Sequence, residues 1–490
     1  MHEETKETLK KTGLKAFLPG SEIFLINPYI TSAERYGKDI GDMGGHQMPL
    51  GIYYLAARLL RDGKKVEVID AESLRMPHDE VIFFLKKASP KIIGITSTSV
   101  AFRNARSLAQ MIRKELPGIV IIIGGPHMTA MPDATMQCGA FDYGVVREGE
   151  AAFSKLVRFI LDHEGSLEGI PNLYYFEHAT LRSNSEAPPI QDLDVIPFPA
   201  RQLCRDLSLY KPPVGAFRLL PVVSMITSRG CPYECIFCDN NTFGRRTRFH
   251  SAEYVAAEIK ELVQKYHARE IAFLDDTFVL DKNRLRRIFK ILDKDNFHLK
   301  WTCMTRVNNL DFELLKFMRD HGCWQIRIGI ESGNQGVLDF IKKGITLGQV
   351  RDVAGWCKEL KVCVSGFFMI GHHIDTPKTI QETIELAVKL PLTDVIATLH
   401  TPIPGTESYK RAKEYGTYEE GDWTALNYWT PCFVPKGLTQ AYMLAKQSEL
   451  YRRFYLRPGV LLRQVGKIRS LAILRSFLRS AFLGLMFTKK

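Results

Sequence analysis

Long apolar runs are missing from this 490-residue sequence. No uncharged stretch of about 18 or more residues occurs, so no segment reads as a membrane-spanning helix. Residues Met1 to Lys15 are charged throughout, and no secretory leader is expected there. A disulfide framework is missing as well. Seven of the ten cysteines (138, 204, 303, 323, 357, 363 and 432) are scattered without regular spacing. Cys303, Cys357 and Cys363 fall in apolar or helical contexts that suit a small buried residue, and a reducing, cytoplasmic setting is expected. Acidic residues are absent from the C-terminal end. Ten of the twelve net positive charges lie in residues 451–490, which leaves +2 for the other 450 residues. A body so close to neutral argues against nucleic acid as the main partner.

What is present is regular alternation. Apolar runs at Ile23–Asn27, Val66–Ile69, Ile92–Ser97, Ile119–Ile123 and Tyr143–Val146 read as strands. Amphipathic stretches at Leu50–Asp62, Val81–Lys87, Phe102–Glu115 and from Gly149-Glu150 through Ile160 read as the helices between them. This predicts an open parallel sheet of Rossmann type. Its ligand belongs beyond the carboxyl ends of the strands. There the loops are rich in small residues: Gly41 to Gly45, Thr96-Ser97-Thr98-Ser99 and Gly124-Gly125-Pro126-His127. No GxGxxG follows the first strand, which weakens a nucleotide reading. Residues 165–221 break the alternation with a small hairpin near Tyr174 to Leu181 and with prolines that stop helices. They read as a packed connector.

From Val222 the pattern repeats strand then helix six times. Strands are expected at Val222–Thr227, Glu270–Leu274, Trp301–Thr305, Gln325–Ile330, Val364–Ile370 and Thr393–His400. Six parallel strands with outer helices suggest a partial barrel, whose chemistry belongs at the carboxyl-terminal strand ends. At the first of those ends stands Cys231-Pro232-Tyr233-Glu234-Cys235-Ile236-Phe237-Cys238. Three thiols at this spacing suit an iron–sulfur cluster or zinc. Structural zinc closes with four ligands, and no fourth cysteine or paired histidine is nearby. Three thiolates on a four-iron cluster leave one iron open to bind something else.

The spacing, with Phe237 directly before the last cysteine, closely resembles the radical S-adenosylmethionine (SAM) enzymes. The resemblance implies that Cys231, Cys235 and Cys238 ligate a 4Fe-4S cluster and that SAM binds the open iron. The stretches HQMPLGIYYLAARL, GITSTS, IIIGGPH, REGEAAF and LDVIPFPAR resemble the large class in which a cobalamin-binding domain precedes the barrel. For that domain the resemblance points to Ser97, Gly124, Gly125 and His127 as contacts near cobalamin. The DxHxxG that supplies an axial histidine in some such domains is absent, and a domain that binds no cobalamin stays open as an alternative. His46 reads as a loop residue. In the barrel, Asp276 of the pair Asp275-Asp276 would face the SAM amino group, with helix capping by one of the two as the alternative. Arg306 would grip a carboxylate. Glu331 and Ser332, in a segment resembling the family's IGxESG, would contact SAM, and Glu331 has a structural cap as its alternative. Gly366 and Gly371 resemble the adenine-contacting glycine strand. The family's usual turn is replaced here by Gly371-His372-His373, read as a loop, with substrate contact or proton transfer by the two histidines as the alternative.

Residues 451–490 carry Leu471, Leu474, Leu478, Phe482 and Leu485 at helical spacing beside Arg475 and Arg479. Such a basic amphipathic helix suits an anionic membrane interface, at the inner face of the membrane, or packs on the barrel. The tail resembles the subgroup of anaerobic magnesium-protoporphyrin cyclases and hopanoid-associated radical SAM proteins, which implies a hydrophobic small-molecule or lipid substrate. The expected organisation is an α/β protein: a cobalamin-binding Rossmann domain at 20–162, a connector at 163–221, a partial barrel at 222–410 and a helical region at 411–490. The implied activity is methylation of an unactivated carbon, or else cyclisation or coupling by the same radical, driven by a reduced donor such as flavodoxin or ferredoxin.

Overall fold

The computed structural model describes residues 20–40, 44–213, 215–419, 421 and 423–461. The charged N-terminal stretch 1–15, Gly41 of the small-residue loop and the helical periodicity of Leu471 to Leu485 lie outside the described residues. The described residues divide into two compact units, one made of 20–35, 46–210 and 239–244, the other of the remainder.

The first unit is a seven-stranded sheet: β1 Ile23–Asn27, β2 Val66–Asp70, β3 Ile92–Thr96, β4 Val120–Gly124, β5 Tyr143–Val145, β6 Leu173–Glu177 and β7 Thr180–Ser183, in spatial order β2-β1-β3-β4-β5-β6-β7. The first five are parallel, with Ile23 opposite both Val66 and Ile92. Their near-continuous Ile, Val and Leu content follows from burial on both faces. Successive strands lie on opposite sides of β1, so the ends of β1 and β3 form the switch point at which such sheets bind ligands. The hairpin assigned by sequence to the connector continues this sheet instead. Tyr175 on β6 pairs antiparallel with Tyr143 on β5, and His178 and Ala179 make its two-residue turn, both at positive φ (46° and 64°). Periodicity marks a hairpin but not which edge it joins.

In the second unit, β8 Val222–Met225 starts the main sheet. A short antiparallel pair, β9 Ser228–Arg229 and β10 Arg248–Phe249, closes the loop that follows it. The sheet continues through β11 Glu270–Phe273, β12 Lys300–Thr305, β13 Cys323–Glu331, β14 Cys363–Ile370 and β15 Asp394–Leu399. These six are parallel and pair in chain order from β8 to β15, the layout of a partial barrel. Helices Ala252–Tyr266, Lys282–Lys294, Phe312–Asp320, Leu347–Glu359 and Pro377–Lys389 bury their apolar faces on it. Five side-chain caps, from Ser251, Asp281, Asp311, Thr346 and Thr376, start those helices, so each begins at a defined residue. The last strand would expose an open edge. Helix Gln440–Tyr455 covers it: the Ala397 amide donates to the Tyr451 hydroxyl (2.9 Å), and Gln447 donates to the Ala397 carbonyl (2.8 Å). A small hairpin, β16 Gly416–Tyr418 with β17 Phe433–Pro435, completes the unit.

Candidate active site

The cysteine loop leaves the top of β8 and is anchored at its start by Asp275. That carboxylate, 1% exposed, accepts from the Thr227 amide (3.0 Å), the Thr227 hydroxyl (2.8 Å) and the Ser228 hydroxyl. Burial raises its pKa, and Arg284 together with these donors opposes the rise. Arg284 in turn donates to the carbonyls of His250 (2.7 Å) and Thr227 (2.9 Å), so both strands of the β9–β10 clamp are held. Gly230 turns at φ 88°, where a side chain would be strained. Ile236 plugs into the core, its amide donating to the Ile341 carbonyl at 3.1 Å.

All three thiols of this loop are unpaired: Cys235 is buried, Cys231 partly buried and Cys238 exposed. Burial raises the Cys231 thiol. Desolvation of its sulfur by the surrounding loop first, then Asp276 and the other two cysteines, push Cys238 up to about 12 even though the residue as a whole reaches the surface. Loading such thiols with metal therefore releases protons. Among the described residues no three His, Cys, Asp or Glu side chains gather to hold a single metal ion. A cluster that gives each thiolate its own iron does not require that convergence, and three thiols on one loop fit it.

Around the loop stand the charged residues expected from sequence. Arg306, 6% exposed, donates from Nη1 to Cys235 Sγ (3.2 Å) and lies over the Tyr233 ring at 3.6 Å. Its Nη2 has no hydrogen-bond partner among the described residues. Arg306 is thus a positive group beside a future thiolate, with one donor to spare. Asp276 is exposed at the end of β11, and partial desolvation and Asp275 hold its carboxyl above the usual range. Neither Asp275 nor Asp276 caps a helix; Asp281 does so for the next one. Glu331 ends β13 after a bulge in its register with β14 and sits at φ 66°. A non-glycine residue in that region marks a locally constrained site. Its carboxylate receives Lys343 Nζ at 2.7 Å, with both residues buried. Gly329 makes room for the pair, since a Cβ there would lie 2.3 Å from Glu331 Oε1 and 2.6 Å from Lys343 Nζ. The cap of the following helix is Asn334 rather than Glu331.

The other expected barrel residues have structural partners. The Ser332 hydroxyl lies 3.3 Å from that of Thr383 and accepts from the Asn334 amide (3.2 Å). A side chain on Gly366 would meet Leu392 and Ile330 in the core at 2.8 and 3.0 Å. Gly371 turns at φ 89° against Met443. Asp375, which sequence reading passed over, accepts from the amides of Gly371 and His372, both at 2.9 Å. His372, His373 and His400 are buried together there, with ring centroids about 5 Å apart. His400 Nε2 lies 2.8 Å from the Ser408 hydroxyl. Burial, then the neighbouring His373 and Lys343, lower His372 to about 3, and burial lowers His373 and His400 as well. His400 directly follows β15, and nothing in the local pattern announces its burial beside the other two.

In the first unit the ends of β3 and β4 approach each other closely. The Ser97 amide donates to the Gly124 carbonyl (3.1 Å) and the His127 amide to the Ser97 carbonyl (3.0 Å). Gly125 turns at φ 95°, where a Cβ would lie 2.7 Å from the Thr96 hydroxyl. By contrast a Cβ on Gly124 would make only an ordinary contact, 3.5 Å from the Val145 carbonyl oxygen. Ser97 is 2% exposed and its hydroxyl donates to the Thr98 carbonyl. The His127 ring, 1% exposed, stacks on Phe102 at 4.0 Å and meets the Ser99 hydroxyl at 3.0 Å. Burial lowers it to about 4. It supports the loop from beneath and is not presented as an axial ligand. At the ends of β1 and β2 a polar network escaped the sequence reading. Asn27 and Tyr210 both donate to Asp70 (2.7 and 2.8 Å), and Glu72 pairs with Arg35. His46 is the loop residue expected, 4.0 Å from Glu72.

Comparison with known proteins matches residues 225–387 to the radical SAM superfamily and residues 39–157 to the B12 binding domain. The chain is 33% identical over 459 residues to an uncharacterized methyltransferase of Pyrococcus horikoshii, covering 93% of this chain and 97% of that one. It is 25% identical to an anaerobic magnesium-protoporphyrin IX monomethyl ester cyclase of Cereibacter sphaeroides, over 86% of this chain and 69% of the relative. Among solved structures it resembles the cobalamin-dependent SAM radical enzyme OxsB (TM-score 0.72, 15% identity, 95% of this chain and 71% of that one). It also resembles the radical SAM methyltransferase TsrM of Kitasatospora setae (TM-score 0.68, 18% identity, 89% of each chain).

Proposed function

The chain belongs to the radical SAM superfamily, in the branch that carries a B12-binding domain, and on that premise we propose that it methylates an unactivated carbon of a hydrophobic substrate. One observation carries the reading. Three unpaired thiols share a single loop at the carboxyl-terminal mouth of a parallel barrel, in a chain that also has a Rossmann sheet whose β4 ends in Gly124-Gly125. When bound, the cluster supplies the electron that splits SAM into methionine and a 5′-deoxyadenosyl radical, and cobalamin supplies the methyl group.

The chain's own residues hold and orient these groups. Cys231, Cys235 and Cys238 are the ligands, and Arg306 offsets charge at Cys235. The spare donor on Arg306 and the carboxylates of Asp276 and Glu331 are the groups that would meet the carboxylate, amino group and ribose of SAM. Lys343 pairs with Glu331 and holds its carboxylate in place. Ser332, Gly366 and Gly371 act from behind, shaping the turns on which that surface rests. In the first unit Gly124 and Gly125 offer backbone to the corrin, and Ser97 and His127 hold those loops in place. A hydrophobic substrate is supported by the tetrapyrrole relative, and contact with an anionic membrane surface by the basic residues of 451–490.

Anaerobic purification with cobalamin supplied tests this reading, scoring iron, sulfide and corrinoid per chain. Four irons with one corrinoid are expected, and products heavier by one methyl group. A second reading, oxidative cyclisation or carbon–carbon coupling without methyl transfer, has its support in the cyclase relative. A cluster without corrinoid, or a product that gains no methyl, would move it ahead.

A further inference from the structure

A basic recess of about 520 Å³ opens beside the cysteine loop. Pro232, Arg245, Arg246, Thr247, Phe249 and Lys282 form much of its wall. Pro232 directly follows Cys231, and the wall is tied to the cysteine loop at two points. Arg248 pairs with Arg229 across the β9–β10 clamp, and the Thr247 hydroxyl donates to the Gly230 carbonyl at 3.2 Å. The one acidic wall residue, Asp281, has its carboxylate engaged as the cap of helix Lys282–Lys294, accepting from the Arg284 amide at 2.8 Å.

The positive charge extends beyond the recess. Arg286, Arg287 and Lys290 are exposed on that helix, one and two turns past Lys282 and Asn283. Arg246 is exposed, with no carboxylate or hydrogen-bond partner among the described residues. Arg245 pairs with Glu234, Arg287 with Glu253 and Lys282 with Asp311, at side-chain exposures between 43% and 67%. Exposed pairs like these contribute little and exchange readily for a partner's carboxylates. Because residues outside 451–490 sum to only +2, this concentration is local.

We propose that this recess is the docking surface for an acidic one-electron carrier protein. The inference rests on the functional reading above, which needs an electron delivered to the site at Cys231, Cys235 and Cys238. One electron leaves the reduced carrier and enters that site, and no bond or proton moves. The recess touches the cysteine loop itself, and complementary charge steers and orients such an encounter. Nucleic acid fits less well, since a bound strand needs a phosphate track with stacking rings, and Phe249 is the one aromatic ring in the wall.

The test uses the full chain and purified flavodoxin as the acidic probe. Affinity is titrated with oxidised flavodoxin at low and high salt for wild type and for the double variant Arg246→Glu, Arg286→Glu. About a tenfold loss of affinity at low salt is expected, equivalent to about 1.4 kcal/mol, with wild-type binding also weakened by salt. With the cluster installed, flavodoxin-driven SAM cleavage should fall by a similar factor while dithionite-driven cleavage stays within twofold. Equal affinity of variant and wild type, no binding by wild type, or equal loss with both reductants would each overturn the docking surface. So would binding of bulk tRNA that the variant loses while it retains flavodoxin. A wild type that cleaves no SAM with dithionite defeats the functional reading instead, and the titration still decides the docking.

Discussion

Gly329→Ala places the smallest possible probe beside the Glu331–Lys343 pair. The added Cβ would lie 2.3 Å from Glu331 Oε1 and 2.6 Å from Lys343 Nζ, about 1 Å inside an ordinary contact of about 3.5 Å. Both partners are buried, with side-chain exposures of 9% and 7%, so neither charge can swing out to water. Lys343 has a long stem, and the pair is expected to re-form in a displaced position. Overpacking of this kind costs about 1–3 kcal/mol. If the pair opened and left one buried charge alone, the cost would be about 3–5 kcal/mol. All five tryptophans (301, 324, 356, 423 and 429) lie in the second unit, so urea unfolding followed by tryptophan fluorescence reports that unit selectively. Gly355→Ala is the control. It lies in helix Leu347–Glu359 with nothing within 4 Å of a new Cβ, and should stabilise by about 0.4–1 kcal/mol. SAM binding to cluster-loaded protein should weaken in Gly329→Ala and stay unchanged in Gly355→Ala. An unfolding midpoint and SAM affinity in Gly329→Ala equal to wild type would refute the packing argument and the role given to Glu331.

Three further outcomes follow from the same geometry. Cys235→Ala should lose bound iron and deoxyadenosine formation while the first unit still takes up corrinoid; retained deoxyadenosine formation would defeat the cluster assignment. Asp275→Ala strips the acceptor from three donors at the root of the cysteine loop, a loss of about 3 kcal/mol or more. Asp275→Asn keeps an acceptor and should lose less, and equal urea midpoints for the two would contradict this anchoring. Asp375 is raised from 3.8 to about 6, chiefly by burial, with its hydrogen bonds opposing. A carboxyl raised in the folded state holds its proton more tightly there than in the unfolded chain. Its contribution is therefore complete below about pH 4 and is lost as pH rises through about 6. Asp375→Asn should flatten the fall in tryptophan-monitored stability between those pH values by up to about 3 kcal/mol, and identical pH profiles would exclude the effect.

The sequence by itself determined the parallel strands of the two main sheets, because strands buried on both faces leave near-continuous apolar runs that need no partner to be recognised. The barrel run expected at Glu270–Leu274 is observed at Glu270–Phe273, and Phe102–Glu115 is a helix as expected. The three thiols were legible for a related reason: their spacing lies within eight residues of one loop. Tertiary structure alone decided what those elements bring together. Arg306 reaches Cys235 across 71 residues of sequence, and Thr227 reaches Asp275 across 48. Strand order and register create both contacts, and no local pattern encodes either. The same holds for His400 beside His372, for the bulge that turns Glu331 toward Lys343, and for the hairpin that extends the first sheet. Burial of a polar side chain depends on which distant residue arrives to pair with it, and that is settled only when the sheets are assembled.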